Sequence, residues 1–114
     1  MKKIAKRSLP RPGRPVRGSS TGRPIMAALD LLGRRWTLRV LWELRGDALS
    51  FRALQAACDG VVPSVLATRL AELRALGLVT ATDAGYELTA RGRELGELLV
   101  PLDAWASRWA RSLL

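Results

Sequence analysis

Apolar residues recur at helical spacing in five segments that follow Pro24. In the first segment they form a stripe that Gly33 interrupts: Ile25, Met26, Leu29 and Leu32. In the second they cover more than one side: Trp36, Leu38, Val40, Leu41 and Leu44. A helix that is apolar on several sides needs neighbours on several sides. We therefore expect the second helix to be the central one and to end at Gly46 and Asp47.

The third and fourth segments, residues 50–58 and 63–76, are separated by only a few residues. The hydroxyl of Ser50 can accept hydrogen bonds from the free amides of the first turn. Gly60 can take the left-handed conformation that ends a helix. Pro63 can begin the next helix, because the first helical position needs no amide donor. The pattern predicts two helices joined by a tight turn.

The two sides of segment 63–76 differ in chemistry. Leu66, Leu70 and Leu73 share the side that must be buried. At about 100° per residue, the opposite side carries small and hydroxylated residues, with Arg69 at its border: Ser64, Ala67, Thr68 and Ala71. Such a side can approach a DNA groove closely, and its hydroxyls can bind base edges or phosphates. The alternative is an ordinary amphipathic helix whose outer side faces water.

Two short strands are predicted after Gly77, at residues 78–82 and 86–88, joined by a loop at 83–85. Helix, turn, helix, hairpin is the order of elements in a winged helix. The hairpin has only two charged residues, Asp83 and Glu87, and both would repel phosphates. We expect this short wing to support the fold more than it grips DNA.

The fifth segment, residues 89–113, begins at a capping residue, Thr89, and contains Pro101, which should kink the helix. Its apolar stripe is too long for a small domain to cover: Leu95, Leu98, Leu99, Leu102, Trp105, Trp109 and Leu113. Exposing this stripe would favour aggregation, so we expect a homodimer. The alternative is that the helix folds back on its own core.

Positive charge is concentrated near the N-terminus of this chain, whose net charge is +9. Residues 1–29 contain eight cations and no acidic residue, whereas the remainder has eleven arginines and ten acidic residues. Residues 1–22 are rich in Pro, Gly, Ser and Arg, which predicts a disordered basic arm ahead of a folded domain at 23–114. One hypothesis is that the arm contacts DNA. The alternatives are a solubilising tail and a wrongly assigned translation start. The composition of the arm also resembles that of a transit peptide.

The residue types argue against an enzyme. The chain has no histidine, and its single cysteine, Cys58, excludes an intrachain disulfide. It also lacks a cluster of metal ligands, a glycine-rich phosphate loop after a strand, and paired carboxylates in a plausible pocket. We therefore expect no catalysis, no metal and no cofactor. No stretch looks like a secretory signal or a membrane span, so we expect a cytoplasmic protein associated with the nucleoid.

From Pro24 onward the chain resembles the HxlR-type winged-helix transcription regulators of bacteria. Several motifs carry the resemblance together, in order and register: ALDLLG at 28–33 followed by Trp36, LSFRAL at 49–54, the G, V, P, S, V, L run at 60–66, RLAELRALGLV at 69–79, YELTARGREL at 86–95, and Pro101 with Leu102 and Trp105. The resemblance implies a mainly α fold with a small β-hairpin, a winged helix-turn-helix that dimerises through its N- and C-terminal helices.

The resemblance also implies residue roles. The homodimer would place helix 63–76 of each copy in successive major grooves of an imperfect palindrome. DNA-facing positions would be Pro63, Ser64, Ala67, Thr68 and Arg69, with Ser50 and Arg52 near the phosphates. The dimer interface would include Met26, Leu29, Leu98, Leu102, Trp105 and Trp109. Members of the family regulate nearby genes in response to aldehydes, electrophiles or oxidants.

Three features depart from the family pattern. Arg23 stands where some members have an oxidant-sensing cysteine before the first proline, so that mechanism is not carried over. Val62 stands where a serine often caps the reading helix, so the cap falls to Ser64 or is absent. The wing is several residues shorter than usual. Cys58 is the remaining candidate for a redox sensor, but its place on the inner side of its helix favours a core residue.

The sequence thus predicts a DNA-binding transcriptional regulator whose partners are double-stranded DNA and a second copy of itself. The alternative is a winged-helix protein-interaction or antirepressor module without DNA binding, which the poorly charged wing favours. A small-molecule effector, not identified by the sequence, could lie between the dimer helices and the core. Trp36, Trp105 or Trp109 would line that pocket, or these residues only pack.

Overall fold

The computed structural model describes residues 9–114. Those residues form five helices and one antiparallel hairpin: α1 (Pro24–Leu32), α2 (Thr37–Glu43), α3 (Phe51–Ala57), α4 (Pro63–Ala75), β1 (Val79–Thr82), β2 (Gly85–Leu88) and α5 (Ala90–Ser112). This order confirms the predicted fold class, a mainly α winged helix-turn-helix. None of the helices in the described part is both long and apolar enough to cross a membrane.

Helix α2 lies at the centre of the core, as its all-round apolar pattern predicts. Val40, Leu41 and Leu44 have no exposed surface, and the helix contacts α1, α3 and α5. It ends at Glu43, a few residues before the predicted stop at Gly46. Its N-cap is Trp36, whose φ of 76° lies in the left-handed region that bulky residues rarely adopt. Trp36 thereby turns the chain sharply between α1 and α2.

The wing is a short hairpin anchored by a third segment. Val79 pairs with Leu88 and Thr82 with Gly85, so the connecting loop is only Asp83 and Ala84. Leu49 exchanges two backbone hydrogen bonds with Tyr86, at 2.8 and 3.0 Å. Leu49 is therefore an edge of this small sheet, which ties the wing to the start of α3.

Helix α5 begins against the back of the wing. The Thr89 hydroxyl accepts from the Gly92 amide at 3.1 Å and donates to the Gly77 carbonyl at 2.6 Å. The helix then continues to Ser112 with Pro101 inside it. Only its first half is packed on the core, where Gly92, Gly96 and Leu99 are buried. The second half presents a largely exposed apolar side.

The predicted N-terminal arm includes residues 1–8, which lie outside the described residues, and residues 9–22, which the structure describes. Leu9 is 7% exposed. Backbone hydrogen bonds join Gly13 to Gly22 and Val16 to Ser19. Residues 9–22 therefore form a closed loop against the domain, while the disorder of the arm as a whole stays a prediction. Leu9 supplies the apolar contact, and three backbone hydrogen bonds between two pairs of residues close the loop.

The close contact of α5 with the wing gives a stability prediction. A Cβ added to Gly92 would lie 2.0 Å from the Leu78 carbonyl oxygen, a backbone atom that cannot move without displacing β1. Gly92→Ala should therefore lower the free energy of unfolding by about 1–3 kcal/mol. The control is Gly46→Ala, where an added Cβ meets nothing within 4 Å.

For Gly46→Ala we expect no loss, and a gain of at most about 1 kcal/mol. Urea denaturation at one fixed protein concentration measures both variants. Equal stabilities for the two would contradict the assigned packing.

Candidate nucleic-acid interface

The helix-turn-helix unit is built from α3, a five-residue connection and α4. Ser50 caps α3 as predicted, since its hydroxyl accepts from the Ala53 amide at 3.1 Å. Pro63 occupies the first turn of α4, and Val62 before it provides no side-chain cap. The structure thus resolves the open question of the α4 cap: no side-chain cap is formed at Val62.

Three features fix the turn between the two helices. Asp59 and Gly60 both have positive φ, 57° and 73°, which reverses the chain after α3. The Gln55 side-chain amide donates to the Val61 carbonyl at 2.9 Å. Val61 is buried, so the turn is also fixed to the core.

Arg39 of α2 braces the same turn. Its guanidinium donates to the Ala57 carbonyl at 2.7 Å and to the Asp59 carboxylate at 3.1 Å, while its Nε binds Glu43 at 2.8 Å. The hydrogen bond to Glu43 is the largest of the effects that raise the pKa of Arg39. The brace therefore stays charged across the physiological pH range.

Helix α4 separates a buried side from an exposed side. Leu66, Leu70 and Leu73 are 0–2% exposed, as predicted. The exposed positions follow one line along the helix at spacings of three and four residues, namely Ser64, Ala67, half-buried Ala71 and Arg74. The line is flat and bears a single cation at its C-terminal end. Such a surface can enter a groove without steric obstruction.

The predicted DNA-facing residues are partly brought together. Pro63, Ser64 and Ala67 are exposed on the first two turns of α4, and Arg52 is exposed on α3. Ser50 is exposed, although its hydroxyl also serves as the α3 cap. Thr68 is half-buried, and its hydroxyl donates to the Ser64 carbonyl at 2.9 Å.

Arg69 has a different environment from the one expected of a base-reading cation. Its Nε donates to the Arg35 carbonyl at 2.8 Å, and its Nη1 lies 2.5 Å from the Glu72 carboxylate. Only 20% of its side chain is exposed. At about 100° per residue, Arg69 lies roughly 140° around α4 from Ser64, on the flank toward the core. We therefore assign it to positioning α4 instead of reading DNA.

Glu72 is the centre of this arrangement, which we call the Glu72 network: Asp30, Arg34, the Arg35 carbonyl, Arg69 and Glu72. Glu72 is 5% exposed and accepts from Arg34 with one carboxylate oxygen and from Arg69 with the other. Arg34 also lies 3.7 Å from Asp30. The network fixes α4 to the loop between α1 and α2, so the exposed line of α4 has one orientation relative to the domain.

Two cations that the sequence analysis did not single out lie on or beside the exposed line. Arg74 is exposed in the last turn of α4, seven residues after Ala67 and therefore on the same side. Arg35 is exposed beside α4, where its carbonyl binds Arg69. The helical spacing of Arg74 was readable from the sequence. The place of Arg35 was not, because it depends on a tertiary contact.

Cys58 is fully buried at the end of α3. Burial raises the pKa of its thiol, which lowers the fraction of reactive thiolate at any given pH. Both observations support the core role over the redox role. Across residues 9–114, no group of three Cys, Asp or Glu side chains is arranged to hold a metal ion.

An apolar cavity of about 320 Å³ opens between α2 and α5. It is lined by Leu38, Arg39, Trp42, Leu99, Leu102, Asp103 and Ala106. The tryptophan that lines this cavity is Trp42, which the sequence analysis did not name as a pocket residue. Trp105 and Trp109 stack on each other with ring centroids 5.4 Å apart.

Comparison with known proteins gives concordant matches. Residues 31–113 match the profile of a family described as HxlR-like helix-turn-helix. The HTH-type transcriptional regulator YvaP of Bacillus subtilis is 30% identical over 89 residues, 72% of this chain and 82% of YvaP. The crystal structure of quinone-bound YodB from B. subtilis gives a TM-score of 0.68 at 27% identity, covering 74% of this chain and 96% of YodB. The crystal structure of a possible HxlR family transcriptional factor from Thermoplasma volcanium gives a TM-score of 0.66 at 26% identity, covering 74% of this chain and 82% of that protein.

The Glu72 network gives a testable prediction. Glu72→Ala would leave Arg34 and Arg69, which are about one-fifth exposed, without their shared carboxylate. We expect the free energy of unfolding to fall by roughly 2–3 kcal/mol, because two largely buried cations lose the carboxylate that they share. Thermal and urea denaturation at one protein concentration measure this loss.

The matched control is Glu94→Ala, which removes a carboxylate from an exposed ion pair with Arg91. That change should alter stability by at most about 0.5 kcal/mol. A Glu72→Ala protein as stable as the control would show that the network does not hold α4.

Proposed function

We propose that this chain, which belongs to the HxlR-like helix-turn-helix family, binds an imperfect DNA palindrome as a homodimer. Its relatives are named transcriptional regulators and not enzymes. In this proposal α4 of each copy enters the major groove. The observation that carries it is the exposed line of α4, a flat and open surface on a helix whose orientation the Glu72 network fixes. The protein would act in the cytoplasm, at the nucleoid.

The chemistry of the site supports specific roles. Ser64 and Thr68 offer hydroxyl oxygens to base edges or phosphates, and Ala67 allows close approach or contact with a thymine methyl group. Arg52, Arg35 and Arg74 surround this surface and would bind phosphates. We leave Arg69 out of the direct contacts, since its guanidinium is occupied by Glu72 and the Arg35 carbonyl.

The dimer is supported by the apolar surface that one copy leaves uncovered. Leu29 of α1 is 54% exposed. On α5 the predicted interface residues are 49–69% exposed: Leu98, Leu102, Trp105 and Trp109. Met26 is half-buried on the same helix as Leu29. Pairing two copies through α1 and α5 would cover this surface and place the two α4 helices for half-sites about 34 Å apart.

A small-molecule effector is a further part of the proposal. YodB, a structural neighbour, is known in a quinone-bound form. In this chain, the apolar cavity between α2 and α5 would suit a small aromatic molecule. Arg39 lines the cavity and also braces the helix-turn-helix connection, so an occupant could alter the brace.

The alternative function is a protein-interaction module that kept the fold without binding DNA. The wing favours it, because Asp83 and Glu87 are its charged residues and neither attracts phosphate. The open surface of α4 and the cations around it favour DNA binding. Selection of duplexes from a random pool by the full chain distinguishes the two functions.

The reading role of α4 gives the first functional prediction. Ala67→Glu would place a carboxylate against the phosphates and bases in the groove. We expect affinity for the selected duplex, measured by fluorescence anisotropy, to fall by about 10- to 100-fold. The matched control is Ser107→Glu, which adds the same charge on an exposed position of α5 opposite the apolar stripe. Equal affinities of the two variants would count against α4 as the reading helix.

Dimerisation gives the second functional prediction. The unaltered chain should sediment as a dimer at micromolar concentration. Leu98→Glu with Leu102→Glu should yield a monomer that keeps its helical circular dichroism, because both side chains are exposed within one copy. Ser107→Glu should stay dimeric. A monomeric unaltered chain, or a double variant that remains dimeric, would refute pairing through α5.

A further inference from the structure

We propose that residues 11–23, here called the basic hairpin, form a second DNA-contact element. In this proposal the hairpin binds the phosphates and the minor groove beside the major groove that α4 reads. The proposal rests on the proposed function, since it concerns the same duplex. It adds a site outside the helix-turn-helix unit.

The basic hairpin is built around a repeated tripeptide. Gly-Arg-Pro occurs at residues 13–15 and again at 22–24. The Gly13 amide donates to the Gly22 carbonyl at 2.8 Å, which brings the two repeats side by side. Val16 and Ser19 exchange two backbone hydrogen bonds at 2.8 and 2.9 Å. The result is a closed loop with Arg17 and Gly18 at its tip.

The hairpin is seated on the part of the domain that positions α4. Leu9 and Pro10, which precede it, are buried. Pro15, Val16 and Arg17 line a cavity of about 350 Å³ together with Asp30 and Arg34. Because Asp30 and Arg34 belong to the Glu72 network, the hairpin lies next to the loop that binds α4. The hairpin and the exposed line of α4 thus share one structural support.

The charges of this region are suited to a polyanion. Arg14, Arg17 and Arg23 are exposed, and residues 1–29 contain no acidic residue. Asp30, which lines the cavity with Arg17, pairs with Arg34. Within residues 9–114, neither Arg14 nor Arg17 takes part in any of the ion pairs formed. The loop that carries Arg34 and exposed Arg35 therefore lies next to both the hairpin and α4.

The shape of the repeat favours the minor groove. Each Arg follows a glycine, which has no side chain, and precedes a proline, which favours an extended backbone at the arginine itself. The arginine can therefore project without a bulky neighbour. Narrow A·T minor grooves have an enhanced negative potential that attracts inserted arginines. This contact needs no base-specific partner, so it would add affinity with little sequence preference beyond A·T content.

The test measures salt dependence on a duplex that carries the sequence selected by the unaltered chain, embedded in A·T flanks. Each lost phosphate contact reduces the slope of log K against log salt concentration by about 0.9. Arg14→Ala with Arg17→Ala should therefore reduce the slope by up to about 1.8 per protomer and weaken binding at least tenfold. Arg14→Lys with Arg17→Lys should restore most of the slope.

Two control variants test the position of the removed charges and the conformation of the hairpin separately. Arg108→Ala with Arg111→Ala removes two exposed arginines from α5 and should leave the slope unchanged. Gly22→Ala keeps every charge but disrupts the loop, because an added Cβ would lie 3.0 Å from the Gly13 carbonyl carbon at a φ of +72°. We expect Gly22→Ala to weaken binding by a smaller factor than the double alanine variant.

The flanks identify the groove. Replacing A·T flanks by G·C should weaken binding of the unaltered chain, because guanine places an amino group in the minor groove. Inosine·cytosine flanks lack that group and should restore binding, although their major groove resembles G·C. Binding that ignores the flanks would overturn the minor-groove contact.

The remaining outcomes distinguish the two proposals. A duplex bound by the unaltered chain and by the Arg14/Arg17 alanine variant with equal slopes would overturn the hairpin site and leave the role of α4 intact. An equal loss in the Arg108/Arg111 control would also overturn it. An unaltered chain that binds no duplex would overturn both proposals.

Discussion

The orientation of α4 depends on one buried carboxylate. Glu72 lies between two cations, Arg34 from the α1–α2 loop and Arg69 from α4 itself, and its two oxygens accept one bond from each. A largely buried carboxylate is tolerated only when it is paired in this way. The same pairing withdraws Arg69 from the groove-facing side and leaves a row of small residues exposed. In the proposed function, α4 would therefore recognise DNA through close approach and hydroxyl contacts, while charge sets its position.

The weak charge of the reading surface has a consequence for DNA affinity. The exposed line of α4 carries one cation, Arg74, and the wing carries Asp83 and Glu87. Most of the free energy of DNA binding usually comes from phosphate contacts. In this chain the cations that could make those contacts lie around the reading helix and in the basic hairpin. In the proposed function, this distribution would separate the part that recognises bases from the part that supplies electrostatic attraction.

Much of the fold can be predicted from the sequence, because local chemistry determines where its helices begin and which side is buried. Ser50, Pro63 and Thr89 begin helices as their side chains and ring geometry predict, and the leucines of α4 are buried at the predicted spacing. The rest depends on tertiary contacts that the sequence does not display. The environment of Arg69 could not be predicted, because its partners are 3 and 34 residues away along the chain. Composition likewise does not reveal the pairing of Gly13 with Gly22 or the burial of Leu9.

The central claim is that two copies of α4 read successive major grooves of one palindrome. Methylation interference at guanine N7, combined with interference at thymine methyl groups, tests it most directly on the duplex selected by the unaltered chain. The account predicts two symmetric clusters of interfering major-groove positions whose centres lie about 10 base pairs apart. A single cluster, or tight binding without interference in the major groove, would contradict it.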